Sequence, residues 1–565
     1  MTTRIQQPTA RLLSGLATEG RRFSIDGVPV FNGDDKFLPG KIALGLADLL
    51  ATAPAGAPPP PEYLSEFRRI AALTVDDAND SWGIYYYLSA LNKLRKAGVL
   101  SAAVDRLTLA KLRVRLDWRT FVDVDTYTLI DHPTNYYCVA FAIARLRALM
   151  GWEDGSGAEH LLTKMLEHYR EYSGEYGFSD ETDGEGRFDR YSVLLSAEIA
   201  QRFLETGSQP PAEVIGWVRK SADVMMARLN ANGDGFEYGR SLGPYGTTSM
   251  VEVLTAAAAL GVLNEQEKVL AYAYVTHAAQ YYVDFWLSER TGSVDMWDQG
   301  RRTDGYRGKF RILGENLSLA HQFIYTNAFW NELGYRDKPP LADFAKALNR
   351  LPKRTVTWFA RGDYDRVLLT LRDREHVIGL PLINGGASQH MHSPYFPIPF
   401  SPRMLVGIAD GNSPQLIPYF TLADGTVLAP LAYFRDVKVT PRGDTTTVTF
   451  RQSHMDRLGA KAPALDDRLS LTSTYTFSPG RITRVDVYTP GRPLPLRDVA
   501  MEFASYADGA PAFKASGFDK CASEALHDDP AYRTPTGPFA NKVVCHIEPR
   551  TLSTPLTLSW TLTYR

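Results

Sequence analysis

At 565 residues the chain is too long for one ordinary core, and two or three domains are expected. Its composition, 44% hydrophobic and 22% charged, is that of a globular protein. A net charge of −2 excludes the global basic field that holds nucleic acid or an anionic membrane, so neither partner is expected and basic residues are read site by site.

Residues 1–40 are polar and mixed and read as an irregular lead-in. The opening Met-Thr-Thr-Arg-Ile-Gln-Gln-Pro lacks an apolar signal-peptide core, and the longest apolar stretch, 253–263, is too short to cross a bilayer. A soluble, cytoplasmic protein is the expectation. A first helix is expected at 42–50, then a Pro/Ala-rich connector over 51–61. From residue 62 apolar residues recur at three and four spacing, as at Val139, Ile143, Leu146 and Met150. The pattern predicts helices near 62–74, 81–97, 104–117, 134–150, 157–173, 189–206, 211–230, 246–261, 264–289, 315–333 and 341–349. Long loops rich in charge and aromatics fall at 118–134, 174–190, 231–246 and 290–314. Antiparallel helix pairs closed into a ring would gather such loops at one mouth, so residues 41–345 are expected to form an (α/α) toroid of about six helix pairs. A helical solenoid is the alternative, and no fixed-period repeat supports it.

Beyond the Pro-containing stretches at 338–340 and 351–354 the character changes. Alternating, β-branched runs at 355–359, 365–372, 445–451, 469–477, 481–488 and 556–564 are separated by Gly, Pro and Asp turns. Residues 355–565 are expected to form an antiparallel β-sandwich. The three cysteines make no disulfide framework and show no metal-type spacing. Cys138 falls in a predicted helix, while Cys521 and Cys545 can pair without anything demanding it.

Five stretches hold candidate chemistry. Asp-His-Pro-Thr-Asn-Tyr-Tyr at 131–137 precedes a strong helix, so Thr134 or Asn135 reads as its N-cap, or Asn135 as an amide binding a carboxylate or sugar hydroxyl. Gly-Arg-Phe-Asp-Arg-Tyr-Ser at 186–192 puts Tyr191 beside Arg187 and Arg190 on a loop-to-helix corner. Positive charge beside a phenol favours its anion, which suits an acid or base, although a tyrosine anchoring a helix start looks the same. Asn-Gly-Asp-Gly-Phe-Glu-Tyr-Gly-Arg-Ser at 232–241 offers Arg240, a residue type suited to bidentate carboxylate binding, with glycines that let backbone approach a ligand. Gly-Pro-Tyr-Gly at 243–246 adds Tyr245 as a second catalytic phenol. Gly-Glu-Asn at 314–316 opens a helix; Glu315 also suits simple dipole complementation, and His321 reads as a core histidine. In the β half, His390 and His392 are two apart and would share a face of an extended segment, as a weak metal pair or as a base reaching the mouth. Twenty-nine tyrosines suit a sugar-lined cleft as well as a core.

The order of these pieces, an Asn before a helix, then a Tyr, Gly-Arg-Ser, Gly-Glu-Asn and a β-sandwich, resembles the toroid-plus-sandwich polysaccharide lyases of the heparinase II/III-like, oligoalginate and hyaluronate lyase groups. It is also similar to an uncharacterised toroid family with a Gly-Arg-Ser element. The resemblance implies β-elimination on uronic-acid glycans without a cofactor or metal, and an acidic oligosaccharide or polysaccharide as substrate. It implies Tyr191 as proton carrier, Asn135 and Arg240 on the substrate carboxylate, Arg190 as a second cation, Glu315 and Asn316 in support, and His390 or His392 as base from the sandwich side. The family's histidine shortly before the tyrosine is missing; Phe188, Asp189 and Arg190 stand there. Two rivals remain: a toroid glycoside hydrolase using paired carboxylates from Asp180, Glu181, Asp183, Asp189, Glu237, Asp295, Asp298 and Glu315, and a non-catalytic carbohydrate-binding protein.

Overall fold

The computed structural model describes residues 2–51, 60–77, 79–132, 136–180, 186–303, 307–383, 396–407, 415–459 and 464–565. Its helices are α1 (Thr2–Glu19), α2 (Leu38–Ala51), α3 (Pro61–Thr74), α4 (Ser81–Lys96), the single turn α5 (Leu100–Ala103), α6 (Arg106–Arg115), α7 (Tyr136–Leu149), α8 (Ser156–Ser173), α9 (Arg190–Thr206), α10 (Ala212–Ala227), α11 (Pro244–Ala259), α12 (Glu265–Tyr281), α13 (Ile312–Trp330) and α14 (Phe344–Leu348).

Burial sorts these helices into two rings. α4, α7, α9, α11 and α13 are buried on nearly every side, whereas α3 and α8 bury one stripe, as amphipathic outer helices do. The inner helices form a closed circuit: α2 packs on α4, α4 on α7, α7 on α9, α9 on α11, α11 on α13, and α13 returns to α2. Outer helices sit beside them, α3 against α2, α8 against α7 and α10 against both α9 and α11. Because inner and outer helices alternate along the chain, the inner N-termini share one end, and the long loops preceding them gather there.

The expected lead-in is corrected by α1. Ile5, Thr9, Leu12, Leu13 and Leu16 form a buried helical stripe, and α1 packs on α13 and α2. The helix expected over 264–289 ends as an α-helix at Tyr281, widens into a π-helical turn over Tyr282–Trp286 and runs into a short strand, Leu287–Ser288.

The C-terminal half is built of antiparallel sheets. Arg354–Ala360, Arg366–Asp373 and His376–Leu382 make a three-stranded sheet, and larger sheets of six and eight strands follow. In the strand Leu469–Ser478, Leu469, Leu471, Ser473, Tyr475 and Phe477 are buried while alternate residues face outward, which is the period of a half-buried strand. Cys521 and Cys545 lie opposite each other on neighbouring strands and are joined by a disulfide. Among the described residues no helix is long and apolar enough to cross a membrane.

The three-stranded sheet holds the loops before α9 and α11. Phe359 stacks on Phe188 with ring centroids 5.1 Å apart. Arg366 Nε donates to Gly186 O at 3.2 Å, and Arg372 Nη2 donates to Ala227 O and Leu229 O at 3.1 and 2.7 Å.

The circuit depends on close approach at the crossing of α2 and α4. A Cβ on Gly40 would lie 2.0 Å from Gly83 O and 2.7 Å from its carbonyl carbon, backbone atoms that cannot swing aside. Gly40→Ala is therefore expected to cost about 1–3 kcal/mol by overpacking, read as a lowered melting temperature in calorimetry. An unchanged melting temperature would show that the two helices can part without cost.

Candidate active site

A cavity runs along the toroid axis, walled by the inner helices. It is lined by Lys41 of α2; Trp82, Tyr85 and Tyr86 of α4; Tyr136 of α7; Arg190, Tyr191, Leu194, Glu198, Gln201 and Arg202 of α9; Tyr245, Thr248 and Glu252 of α11; and Glu315, Ser318, His321 and Gln322 of α13. Arg240, Arg307 and Arg311 join from the loops at the mouth. Five of the sequence candidates thus meet in one space: Arg190, Tyr191, Arg240, Tyr245 and Glu315.

Local structure explains how Tyr191 is aimed. Asp189 is the N-cap of α9, and its Oδ1 accepts from Tyr191 N at 2.7 Å. Ser192 Oγ accepts from Asp189 N at 3.2 Å and completes a capping box. Asp189 Oδ2 also accepts from Arg240 N at 3.4 Å, so one carboxylate ties the start of α9 to the Gly-Arg-Ser loop. Gly239 has φ of 88°, and a Cβ there would sit 2.5 Å from Asp189 Cβ. The glycine beside Arg240 serves this packing.

Around the phenol the charges are dense. The guanidinium carbons of Arg190 and Arg240 lie 3.9 and 4.1 Å from the Tyr191 ring centroid, cation–π contacts at short range. Arg190 Nε and Nη1 donate to Arg240 O and Tyr245 O, each at 3.3 Å, which holds that guanidinium between the Gly-Arg-Ser loop and the first turn of α11. Tyr191 Oη donates to Ser241 Oγ at 3.3 Å, and the same oxygen accepts from Arg307 Nε at 3.2 Å. Arg307 Nη1 donates to Glu315 Oε2 at 3.0 Å, and Tyr245 Oη donates to that same oxygen. Arg307 also lies over the Tyr245 ring, 3.6 Å from its centroid. A continuous network therefore runs Tyr191, Ser241, Arg307, Glu315, Tyr245. Its hinge, Ser241, is fully buried with φ of 57°, a left-handed conformation uncommon for a residue with a side chain.

Other candidates fall elsewhere. Asn316 lies outside the cavity lining: its Oδ1 accepts from Val294 N at 2.7 Å and its Nδ2 donates to Ile312 O at 2.7 Å, so its amide holds backbone together. His321 is buried, with Nδ1 2.8 Å from Asp48 Oδ2, and touches the cavity. Asn135, His390 and His392 lie outside the described residues, as do Glu181 and Asp183. Asp180 accepts from Gly186 N at 2.7 Å, Asp189 is the cap, Glu237 pairs with Arg228, and Asp295 accepts from Trp297 N and Asp298 N. Asp298 pairs with Lys309. Of the described acids named from sequence, only Glu315 lines the cavity. Among the described residues no group of His, Cys, Asp and Glu is placed to hold a metal ion.

Sequence reading missed Glu198, Gln201, Arg202, Glu252 and Arg307. Glu198 and Glu252 sit seven residues after Tyr191 and Tyr245 on buried helices, a same-face spacing that was available as a signal. Burial, and then the neighbouring Glu198, push the Glu252 carboxyl up to about 8. Burial also raises Glu198, against the pull of Arg202, Arg190 and Arg240. Above them burial pushes the Tyr136 phenol up to about 12.

No protein-family model matches the sequence, and neither does any curated protein. Among solved structures, the chondroitin AC lyase of Streptomyces coelicolor A3, in complex with chondroitin sulphate, matches 100% of this chain and 79% of its own at 12% identity and a TM-score of 0.53. A heparan sulfate lyase mutant from Pedobacter heparinus matches 98% of this chain and 83% of its own at 9% identity, with a TM-score of 0.35. A glycosyl hydrolase family 88 structure from Bacteroides vulgatus matches 58% of this chain and 99% of its own at 11% identity, with a TM-score of 0.38. The last two overlay too loosely to carry an argument. The first shows the architecture: this chain has the (α/α) toroid and antiparallel β-sandwich found in a polysaccharide lyase.

The Glu252 carboxyl gives a pH signature. Its value in the folded chain lies above the ordinary one of about 4.3, so folding takes up a proton across the interval between the two. The stability linked to that proton is whole below the ordinary value and is lost as pH rises through about 8. Between about pH 5 and pH 9 the wild-type melting temperature is expected to fall relative to that of Glu252→Gln. Parallel curves for the two proteins would refute the shift.

Proposed function

We propose that the protein is a lyase that cleaves uronic-acid-containing oligosaccharides by β-elimination. The observation that carries this reading is Tyr191 flanked by the guanidiniums of Arg190 and Arg240, in a cavity whose lining charges favour an anion. Among the described residues six cations line it, Lys41, Arg190, Arg202, Arg240, Arg307 and Arg311, against three carboxylates, Glu198, Glu252 and Glu315. The chain as a whole carries −2, so this positive site is a local construction that suits an acidic glycan. The N-termini of the inner helices point to the same mouth and add to the attraction.

The chemistry follows from the placement. A proton beside an ionised carboxylate is barely acidic, because its loss leaves a dianion. Arg240 is placed to grip the carboxylate and spread that charge. Tyr191, as phenolate, takes the C5 proton, and the electron pair moves into the carboxylate. The dianion then collapses to a C4–C5 double bond and expels the glycosidic oxygen, which recovers the proton from Tyr191. Two cations against the ring offset the charge the phenolate carries before it takes the C5 proton and again after it has given that proton up. Tyr245 Oη donates its hydrogen bond to Glu315, so its part is to hold Arg307 and, through Ser241, the Tyr191 hydroxyl. No water is consumed, and no cofactor enters these steps.

A second reading is favoured by Glu198 and Glu252. Two carboxyls in one cavity, both raised by burial and Glu252 up to about 8, are also the equipment of a glycoside hydrolase. The two readings part on the product. With a panel of uronate oligosaccharides, elimination is expected to raise ultraviolet absorbance from the new conjugated double bond, with no added water in product mass. Products that gain water without absorbance would replace the lyase with the hydrolase.

Two variants test the roles. Tyr191→Phe is expected to lower kcat by roughly 10²–10⁴-fold while the protein stays folded. Arg240→Lys keeps the charge but loses the bidentate fork, and is expected to lower kcat/KM about tenfold or more. Turnover by Tyr191→Phe at the wild-type rate would overturn the assignment of the proton carrier.

A further inference from the structure

The cavity continues well below Tyr191, in two tiers of opposite chemistry. On α9 the lining residues Tyr191, Leu194 and Glu198 follow at three and seven; on α11 Tyr245, Thr248 and Glu252 do the same, and on α13 Glu315, Ser318 and Gln322. Seven residues are about 10 Å of helix rise, so Glu198, Glu252 and Gln322 form a second level beneath the phenols and Glu315.

The upper tier holds most of the cations, and the lower tier gathers carboxyl and amide oxygens with Arg202 beside them. Glu198 Oε2, Gln201 Oε1, Glu252 Oε1 and Gln322 Oε1 are buried and accept no hydrogen bond among the described residues. Glu198, Gln201 and Glu252 are only 8, 2 and 4% exposed. Buried polar oxygens without partners are costly, and four such residues lining one cavity from three helices call for a ligand rich in O–H or N–H groups.

The lower tier is also the end of the space. Beneath it Arg202 donates to Tyr85 Oη, Tyr85 Oη donates to Glu205, and Ser89 adds a second bond to Glu205. On the other side Lys93 and His321 both bond to the buried Asp48. These side chains from α2, α4, α9 and α13 plug the axis of the ring, so a long glycan cannot thread through it.

We propose that the cavity is a blind well that admits one end of an acidic oligosaccharide and seats the hydroxyls of its terminal sugar on Glu198, Gln201 and Glu252. Resting on the elimination reading, this makes the enzyme exo-acting, with product length set by the distance between the tiers. The acidic group stays among the arginines above and the neutral hydroxyl edge goes down, so the two tiers together fix which way the end enters.

Binding separates this idea from the reading it rests on. Calorimetry on the Tyr191→Phe protein would use a uronate tetrasaccharide in three forms: both ends free, a bulky fluorophore on the reducing end, and the same label on the other end. One label is expected to weaken binding by about 100-fold or more, and the other to be tolerated. Tyr191→Phe carrying Glu252→Leu is expected to bind the free-ended form about tenfold more weakly. The isosteric Glu252→Gln, which keeps an acceptor oxygen, should lose less and would show that the fold survives change at this position. Equal binding of all three forms, no binding of any, or unchanged affinity in a folded Glu252→Leu protein would overturn the blind well. Absorbance gained by the wild-type protein on the free-ended tetrasaccharide scores elimination separately. Absorbance without label discrimination would leave the lyase standing and remove end-on seating; discrimination without absorbance would do the reverse.

Discussion

Asp189 holds the site in register. Its two carboxylate oxygens accept from backbone on both sides of the mouth, Tyr191 N on α9 and Arg240 N on the Gly-Arg-Ser loop. A helix cap is ordinarily a local matter worth about 1 kcal/mol. Here it also sets the distance between a phenol and a guanidinium that come from segments fifty residues apart. Gly239 must lack a side chain for that loop to reach Asp189, and the three-stranded sheet presses Phe359 and Arg366 against the same corner. The placement of Tyr191 is thus determined by the helical and β halves together.

The electrostatics of the cavity work by separation. Arg190, Arg240, Arg307 and Arg311 cluster at the mouth, with only Arg202 of the lining arginines lying deeper, and there helix N-termini already favour anions and backbone carbonyls of Arg240 and Tyr245 hold Arg190. Carboxylates lie deeper, where burial works against their ionisation. Had the acids shared the upper tier, they would have cancelled the field that attracts a carboxylate. Glu315 is the exception, and its Oε2 is engaged by Arg307 and Tyr245.

Much of the fold could be read from the residues because inner and outer helices both carry three and four spacing, and because the strands alternate cleanly. The bounds expected for α9 and α13 differ from those observed by a few residues at most. α1 was missed because Pro8 and a polar surface hide its stripe of Ile5, Leu12, Leu13 and Leu16, which becomes a reason to be helical only when α13 is there to cover it. In the site, Tyr191, Arg240 and Glu315 were legible because they stand in Gly-rich, charged loops or at helix starts. Glu198, Gln201 and Glu252 were not, because each is a lone polar residue in a run that looks like plain core. Asn316 misled for the opposite reason: it sits in a conspicuous motif, yet its amide serves backbone.

The return of α13 to α2 has a consequence in time. The ring closes between the first and last of its inner helices, segments about 270 residues apart along the chain. Until α13 has been made, α2 offers a flank of apolar residues with nothing to lie against, and the axial space has an open side. Contacts so distant in sequence are slow to form, and partly built rings expose sticky surface. The emerging chain therefore carries an unfinished toroid through most of its synthesis, and the acceptor oxygens on the floor are enclosed only when the circle shuts.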